Sequence, residues 1–314
     1  MARRLLLILL ICCVGLCANA QSGKAFRLPD VPDSLRTPGS RADFLVMHYW
    51  DNYDFSDTTL LTYAGETEQA FVNFINILRY STKTPEAVDA LYRRASVETM
   101  TLRHFIELGD KYLYEPNSPM HNEDLHILML QAIINNPRIR EEEKIRPRFL
   151  LETALKNRPG SIAADFTAYL HDDTGIRLSA IEAEYTLIFF NDPECHDCLR
   201  VKERLAYSPH IRKLVDTGRL KILSVCVEGR TPAWETADYP KKWINCYDKD
   251  KSLTICRTYD LKAIPTLYLL DSGKHVILKD ASIGSLIERL LAVPAPSPIS
   301  AGDAPECFSS IASN

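Results

Sequence analysis

Between Cys17 and Cys195 the chain has no cysteine. That gap excludes disulfide or thiolate chemistry from the first half of the protein and assigns it to the second. A second C-x-x-C is also missing, which argues against a closed structural zinc site and its four ligands. Beyond the first twenty residues no apolar run reaches the roughly eighteen that a membrane helix needs. There is no internal repeat, and there is no basic excess either. The chain carries 37 basic and 41 acidic side chains, a net charge of −4, which argues against nucleic acid as a partner.

What is present begins with Arg3 and Arg4, an apolar stretch over 5–16 and Ala18-Asn19-Ala20. This is the pattern of a signal peptide over 1–20, cleaved after Ala20, and it predicts export. A lipid anchor would instead use Cys17, but Leu16 fits poorly where a small residue is wanted. Arg3 and Arg4 leave with the segment, so 37 basic side chains become 35 against an unchanged 41, a balance of −6. Cys12, Cys13 and Cys17 leave as well, and the nine cysteines fall to Cys195, Cys198, Cys226, Cys246, Cys256 and Cys307.

The mature chain divides by pattern into a helical N-terminal domain over 21–156, an α/β domain over 157–292 and a disordered Pro/Ala/Ser-rich tail over 293–314. In the first, Ser40 is read as the cap of a helix running through Trp50. Further helices are expected over 66–80, 85–95, 97–114, 123–135 and 140–156, with Thr84 and Asn122 as caps and Pro147 as a break or kink. Tyr49, Trp50 and Tyr53 are either aromatic packing inside this domain or a partner-binding patch. In the second, strands are expected over 164–170, 176–178, 186–190, 220–227 and 243–247. Helices should follow near 232–237 and 252–259, then a hairpin of 266–270 with 275–279, and a closing helix over 283–291. This is the grammar of a mixed sheet covered on both faces.

The chemistry concentrates at Cys195-His196-Asp197-Cys198, where an apolar strand gives way at Asp192 and Pro193 to a helix. Cys198, Val201 and Leu205 recur at helical spacing and turn Cys198 inward. Cys195 lies at the helix start, where unpaired N–H groups and the positive dipole end stabilise a thiolate.

The strand Leu187-Ile188-Phe189-Phe190, the Cys-x-x-Cys turn and Ala263-Ile264-Pro265-Thr266 together resemble a thioredoxin fold. The preceding hairpin is similar to that of exported TlpA- and ResA-type thiol-disulfide oxidoreductases. With a helical domain of unknown function ahead of it, the chain looks like exported proteins of the Bacteroidetes, which would place it in the periplasm of a Gram-negative cell. The resemblance implies disulfide exchange with protein substrates, with Cys195 as nucleophile and Cys198 as resolving thiol. It also implies no bound cofactor beyond the redox-active cysteine pair, and a redox partner in the envelope. It further implies a cis Pro265 facing the cysteines, with the Ile264 backbone set to pair with an extended substrate. The reductase direction is favoured because such relatives are mostly reductases. The rival reading is a non-catalytic envelope-assembly module on a thioredoxin-like scaffold with a structural disulfide.

Several residues depart from the family pattern. Glu194 replaces the usual Trp before the first cysteine, His196 and Asp197 replace Gly-Pro, and Phe189 stands where thioredoxin buries an acid. Glu194 and Asp197 disfavour a Cys195 thiolate, whereas a protonated His196 favours it. His196 is read as an exposed tuning residue in preference to a general acid. Cys226 reads as a buried core thiol, and Cys246 and Cys256 as a possible pair. Glu228 is either a proton relay to Cys198 or a solvated strand end.

Overall fold

The computed structural model describes residues 26–292. The expected signal peptide and Ala20 cleavage, Cys17, Cys307 and the expected tail lie outside the described residues. Contacts divide the chain into two compact units, with the division between Leu155 and Lys156.

The first unit is helical: α1 (Pro38–His48), α2 (Ala64–Leu78), α3 (Thr84–Ala95), α4 (Thr99–Gly109), α5 (Glu123–Asn135) and α6 (Glu141–Ala154). Its core is built around Trp50, 3% exposed, whose ring lies 5.2 Å from that of Phe105 and 5.7 Å from that of Phe74. Tyr49 and Tyr53 are equally buried, so this trio is packing and not a surface patch. At Gly109 an added Cβ would meet Met129 Sδ at 1.9 Å. The Met129 side chain thus lies directly against the α4 backbone at Gly109, and any larger residue there would force it to move.

Several helix ends differ from expectation for local reasons. Thr37, not Ser40, caps α1: its side chain accepts the Ser40 N–H, Pro38 opens the helix, and the helix stops at His48. Thr84 does not cap α3, because its hydroxyl donates to the Leu78 and Ser81 carbonyls. Asn122 does cap α5, accepting from the Leu125 N–H at 3.0 Å. The segment expected as one helix over 97–114 is α4, capped by the Glu98 carboxylate, followed by a π-helical turn, Asp110–Tyr114. Pro147 does not end α6, which runs through it with the ring buried.

The second unit is one seven-stranded mixed sheet of order β2-β1-β5-β4-β3-β6-β7. The strands are β1 (Thr167–Tyr169), β2 (Gly175–Arg177), β3 (Tyr185–Asn191), β4 (Leu220–Cys226), β5 (Ile244–Tyr247), β6 (Thr266–Asp271) and β7 (Val276–Leu278). β3 pairs parallel with β4, and β4 parallel with β5; the other pairs are antiparallel. The helices are α7 (His196–Tyr207), α8 (Pro209–Asp216), α9 (Pro232–Thr236), α10 (Ser252–Ile255) and α11 (Ile283–Leu291). Leu187 and Phe189 point to the face covered by Leu205, Ile211, Leu214, Leu286 and Leu290. Ile188 and Phe190 point to the opposite face with Tyr259 and Leu253. Burial on both faces explains why β3 reads as a continuous apolar run.

Two elements are shorter than expected. The strand foreseen over 164–170 keeps only β1, since Asp165 is held by Ser179 and Arg177 and the Ala164 N–H by Asn157. The helix foreseen over 252–259 ends at Ile255, where Arg257 turns to φ 49°. α8 was not expected; Ser208 caps it and Pro209 opens it.

Candidate redox site

Each part of the site is placed by a local interaction. The end of β3 delivers Asp192, whose carbonyl accepts the Cys195 N–H at 3.1 Å and whose side chain accepts the Glu194 N–H at 3.0 Å. This turn brings Cys195 to the N-cap of α7, where its Sγ accepts the Cys198 N–H at 3.3 Å. Sulfur thus takes the capping place usually filled by oxygen, and the otherwise orphaned Cys198 N–H gains an acceptor. Cys195 is half-buried, whereas Cys198, one helical turn behind, is 2% exposed. Burial, reinforced by the neighbouring Cys195, pushes the Cys198 thiol well above the ordinary range. One sulfur is therefore offered to a partner while the other stays protonated behind it.

The opposite wall is the loop before β6. The Ile264–Pro265 bond is cis, and the Cys195 Sγ lies 3.8 Å from the Ile264 carbonyl oxygen. Ile264, Pro265, Cys195 and Cys198 are therefore brought together as the resemblance implies. The three polar neighbours sit differently. Glu194 and His196 are exposed, and Asp197 is turned onto Arg200, so none of their side chains is bonded to a sulfur.

Below Cys198 lies a polar group that sequence reasoning missed. Asn191, 1% exposed, donates to the Phe189 carbonyl at 2.8 Å and to Ser224 Oγ at 2.9 Å, and accepts the Tyr239 hydroxyl at 2.6 Å. The Tyr239 ring packs in the same apolar layer as Cys198, under Lys202 Nζ at 5.1 Å, and burial raises its hydroxyl pKa. Phe189 is fully buried in that layer, and the polar groups near it, the Asn191 amide and the Tyr239 hydroxyl, are uncharged. The one available signal was an asparagine closing an otherwise apolar strand.

The remaining candidates make no contact with the two sulfurs that the structure records. Glu228 is a solvated strand end, paired with Lys251 at 2.6 Å. Cys226 is fully buried, and burial pushes its thiol up to about 11. Cys246 is buried with Sγ on the Ser224 carbonyl while Cys256 is exposed, so these two do not pair. Among the described residues no group of His, Cys, Asp and Glu could hold a metal ion, and no helix is long and apolar enough to cross a membrane.

Comparison with known proteins agrees with this architecture. Residues 15–157 match a family described as a domain of unknown function (DUF5106). No curated protein matches the chain. A solved structure of the C-terminal domain of an uncharacterized protein from Bacteroides fragilis is 40% identical, covering 43% of this chain and 98% of its own, with a TM-score of 0.42. A thioredoxin-like protein from Bacteroides caccae is 41% identical over 86% of this chain and 99% of its own, with a TM-score of 0.79. Identity at that level over nearly the whole of both chains, together with the dithiol turn and cis-proline loop, places this protein in the thioredoxin-like family, with an uncharacterised helical domain ahead of its α/β unit.

Proposed function

We propose that the protein is an exported thiol-disulfide oxidoreductase acting on protein substrates through Cys195 and Cys198. In the reductase direction the Cys195 thiolate attacks a substrate disulfide, forming a mixed disulfide and releasing one substrate thiolate. Cys198 then loses its proton to solvent and attacks Cys195 Sγ. The Cys195–Cys198 disulfide forms, the second substrate thiolate leaves, and the substrate has gained the two electrons the protein has lost. No bound cofactor takes part, and an envelope redox partner restores the dithiol. The signal over 1–20, cleaved after Ala20, delivers the protein to the periplasm.

The observation that carries this reading is the asymmetry of the two sulfurs, one at a helix N-cap against the Ile264 carbonyl and one buried behind it. A static crosslink has no use for a presented thiol. The test is the reduction potential of the pair, set by equilibration against dithiothreitol and glutathione and read by alkylation. A value near the roughly −270 mV of thioredoxin supports a reductase, and one near about −120 mV reverses the direction. A pair oxidised even below about −300 mV is structural and defeats the proposal. Cys195→Ser should abolish disulfide exchange.

A further inference from the structure

The sheet of the second unit comes apart at one place. β1 and β5 share a single antiparallel pair, Tyr169 with Tyr247, although β5 runs on through Ile244. Alternation along the ladder identifies the main-chain groups this leaves over. The Asp248 N–H donates to the Cys226 carbonyl at 2.9 Å. In the parallel pairing of β4 with β5, Cys246 and Ile244 therefore also direct their N–H and C=O groups to β4. Tyr247 and Asn245 direct theirs to the side of β1. Tyr247 meets Tyr169 there. The same register would bring His171 opposite Asn245, but the chain has already turned away, with the Leu170 N–H on the Thr174 carbonyl and the Asp173 N–H on the Leu170 carbonyl.

Where the strands part there is a cavity of about 700 Å³, walled by Leu170, His171 and Ile176 on one side and Tyr239, Trp243 and Asn245 on the other. Its size is within the range of sites that hold a ligand. The hairpin wall is fixed by His171, stacked on the fully buried Trp234 with ring centroids 4.1 Å apart. Asn245 also carries a buried side-chain Oδ1 with no hydrogen-bond partner. A slot that exposes strand main chain among mixed side chains, with Asp172, Asp238 and Lys241 beside the apolar ones, matches one ligand chemistry in particular, an extended peptide that completes the missing ladder.

We infer that this cleft docks an extended segment of a client polypeptide by main-chain pairing to Asn245. A segment docked on the outer side of β5 lies three strand spacings, about 14 Å, from β3, the strand that delivers Cys195. The inference rests on the redox reading only for its purpose, which is to hold a client near the dithiol.

The test uses the full-length protein and reduced, carboxymethylated ribonuclease A, an unfolded chain with no thiol or disulfide. Titration is followed by intrinsic tryptophan fluorescence, to which the cleft-lining Trp243 contributes, and hydrogen exchange is measured at saturation. Slower exchange at the Asn245 amide, with β3 and β4 unchanged, is the expected result. No detectable binding, or protection only around Ile264, overturns the inference. Asn245→Pro removes the one N–H that faces the cleft and spares the ladder to β4. It should weaken binding about fivefold, the equivalent of ~1 kcal/mol for one hydrogen bond. Unchanged affinity in a folded Asn245→Pro protein also overturns the inference, and the wild-type exchange data stand if that variant does not fold. Because the probe cannot exchange disulfides, failure here leaves the redox proposal untouched. An inert dithiol would likewise leave the docking result intact.

Discussion

A short pulse of iodoacetamide at pH 7 should divide the five described cysteines into two reactive and three silent ones. Cys195 and Cys256 are accessible, whereas Cys198, Cys226 and Cys246 are buried. The size of the gap can be worked for Cys226, which burial pushes up to about 11. At pH 7 roughly one molecule in 10⁴ then carries the thiolate, against about 3% for an ordinary thiol near 8.5, a deficit of about 300-fold. A more basic thiolate is intrinsically more nucleophilic, which returns roughly tenfold and leaves about 30-fold before access is considered. Burial slows the reaction further, since the reagent must wait for a local opening. Cys198 is shifted in the same direction by burial and by Cys195, so it should lag with Cys226. Raising the pH narrows the gap, because an ordinary thiol saturates while Cys226 continues to ionise. Light and heavy reagent used in sequence, with peptide mass spectrometry, reads each site against Cys256 as the internal standard. Labelling of Cys226 or Cys198 within threefold of Cys256 at pH 7 would refute the reasoning.

Other expectations follow from single interactions. Tyr239→Phe leaves the Asn191 Oδ1 buried without its 2.6 Å donor. The loss of about 1–3 kcal/mol should lower the calorimetric transition of the thioredoxin-like unit by roughly 3–10 °C, and a shift under about 1 °C would count against the network. Trp50→Ala, at the centre of the helical core, should destabilise that unit by about 3–5 kcal/mol; an unchanged urea midpoint would contradict this. The Ser81 hydroxyl, followed by the Thr82 N–H, holds the Asp43 carboxylate below its ordinary value. Its contribution is therefore full above the unfolded pKa of about 3.9 and disappears as pH falls through the lower folded value. The stability advantage of wild type over Asp43→Asn should fade along that path in acid-dependent urea melts, and an advantage that persists below both values would contradict it.

The sequence made the site's outline legible because strand burial, the two-residue spacer and the Ile-Pro-Thr turn are all written in local residue order. Asn122, Pro265 and the closing helix α11 fall into the same class. What was not legible depends on distant partners. The Tyr239 hydroxyl meets Asn191 across 48 positions, and no local pattern announces that pairing. Helix ends failed where a hydroxyl had a choice: Thr84 looks like a cap in sequence, but the carbonyls ending α2 claim it. Glu194, His196 and Asp197 are adjacent to the dithiol by sequence alone, and only the fold shows Asp197 turned onto Arg200.

Both margins of the seven-stranded sheet end in strands of three residues, β2 and β7. The outer side of β7 is moreover occupied by the chain itself, since the Gly160 N–H reaches the Val276 carbonyl, the Val276 N–H reaches Ser161 and the Ala163 N–H reaches Lys274. Short or covered margins give a second copy little main chain on which to grow a shared sheet. Such margins leave little main chain through which the unit could be drawn into the sheet-like aggregates of other chains.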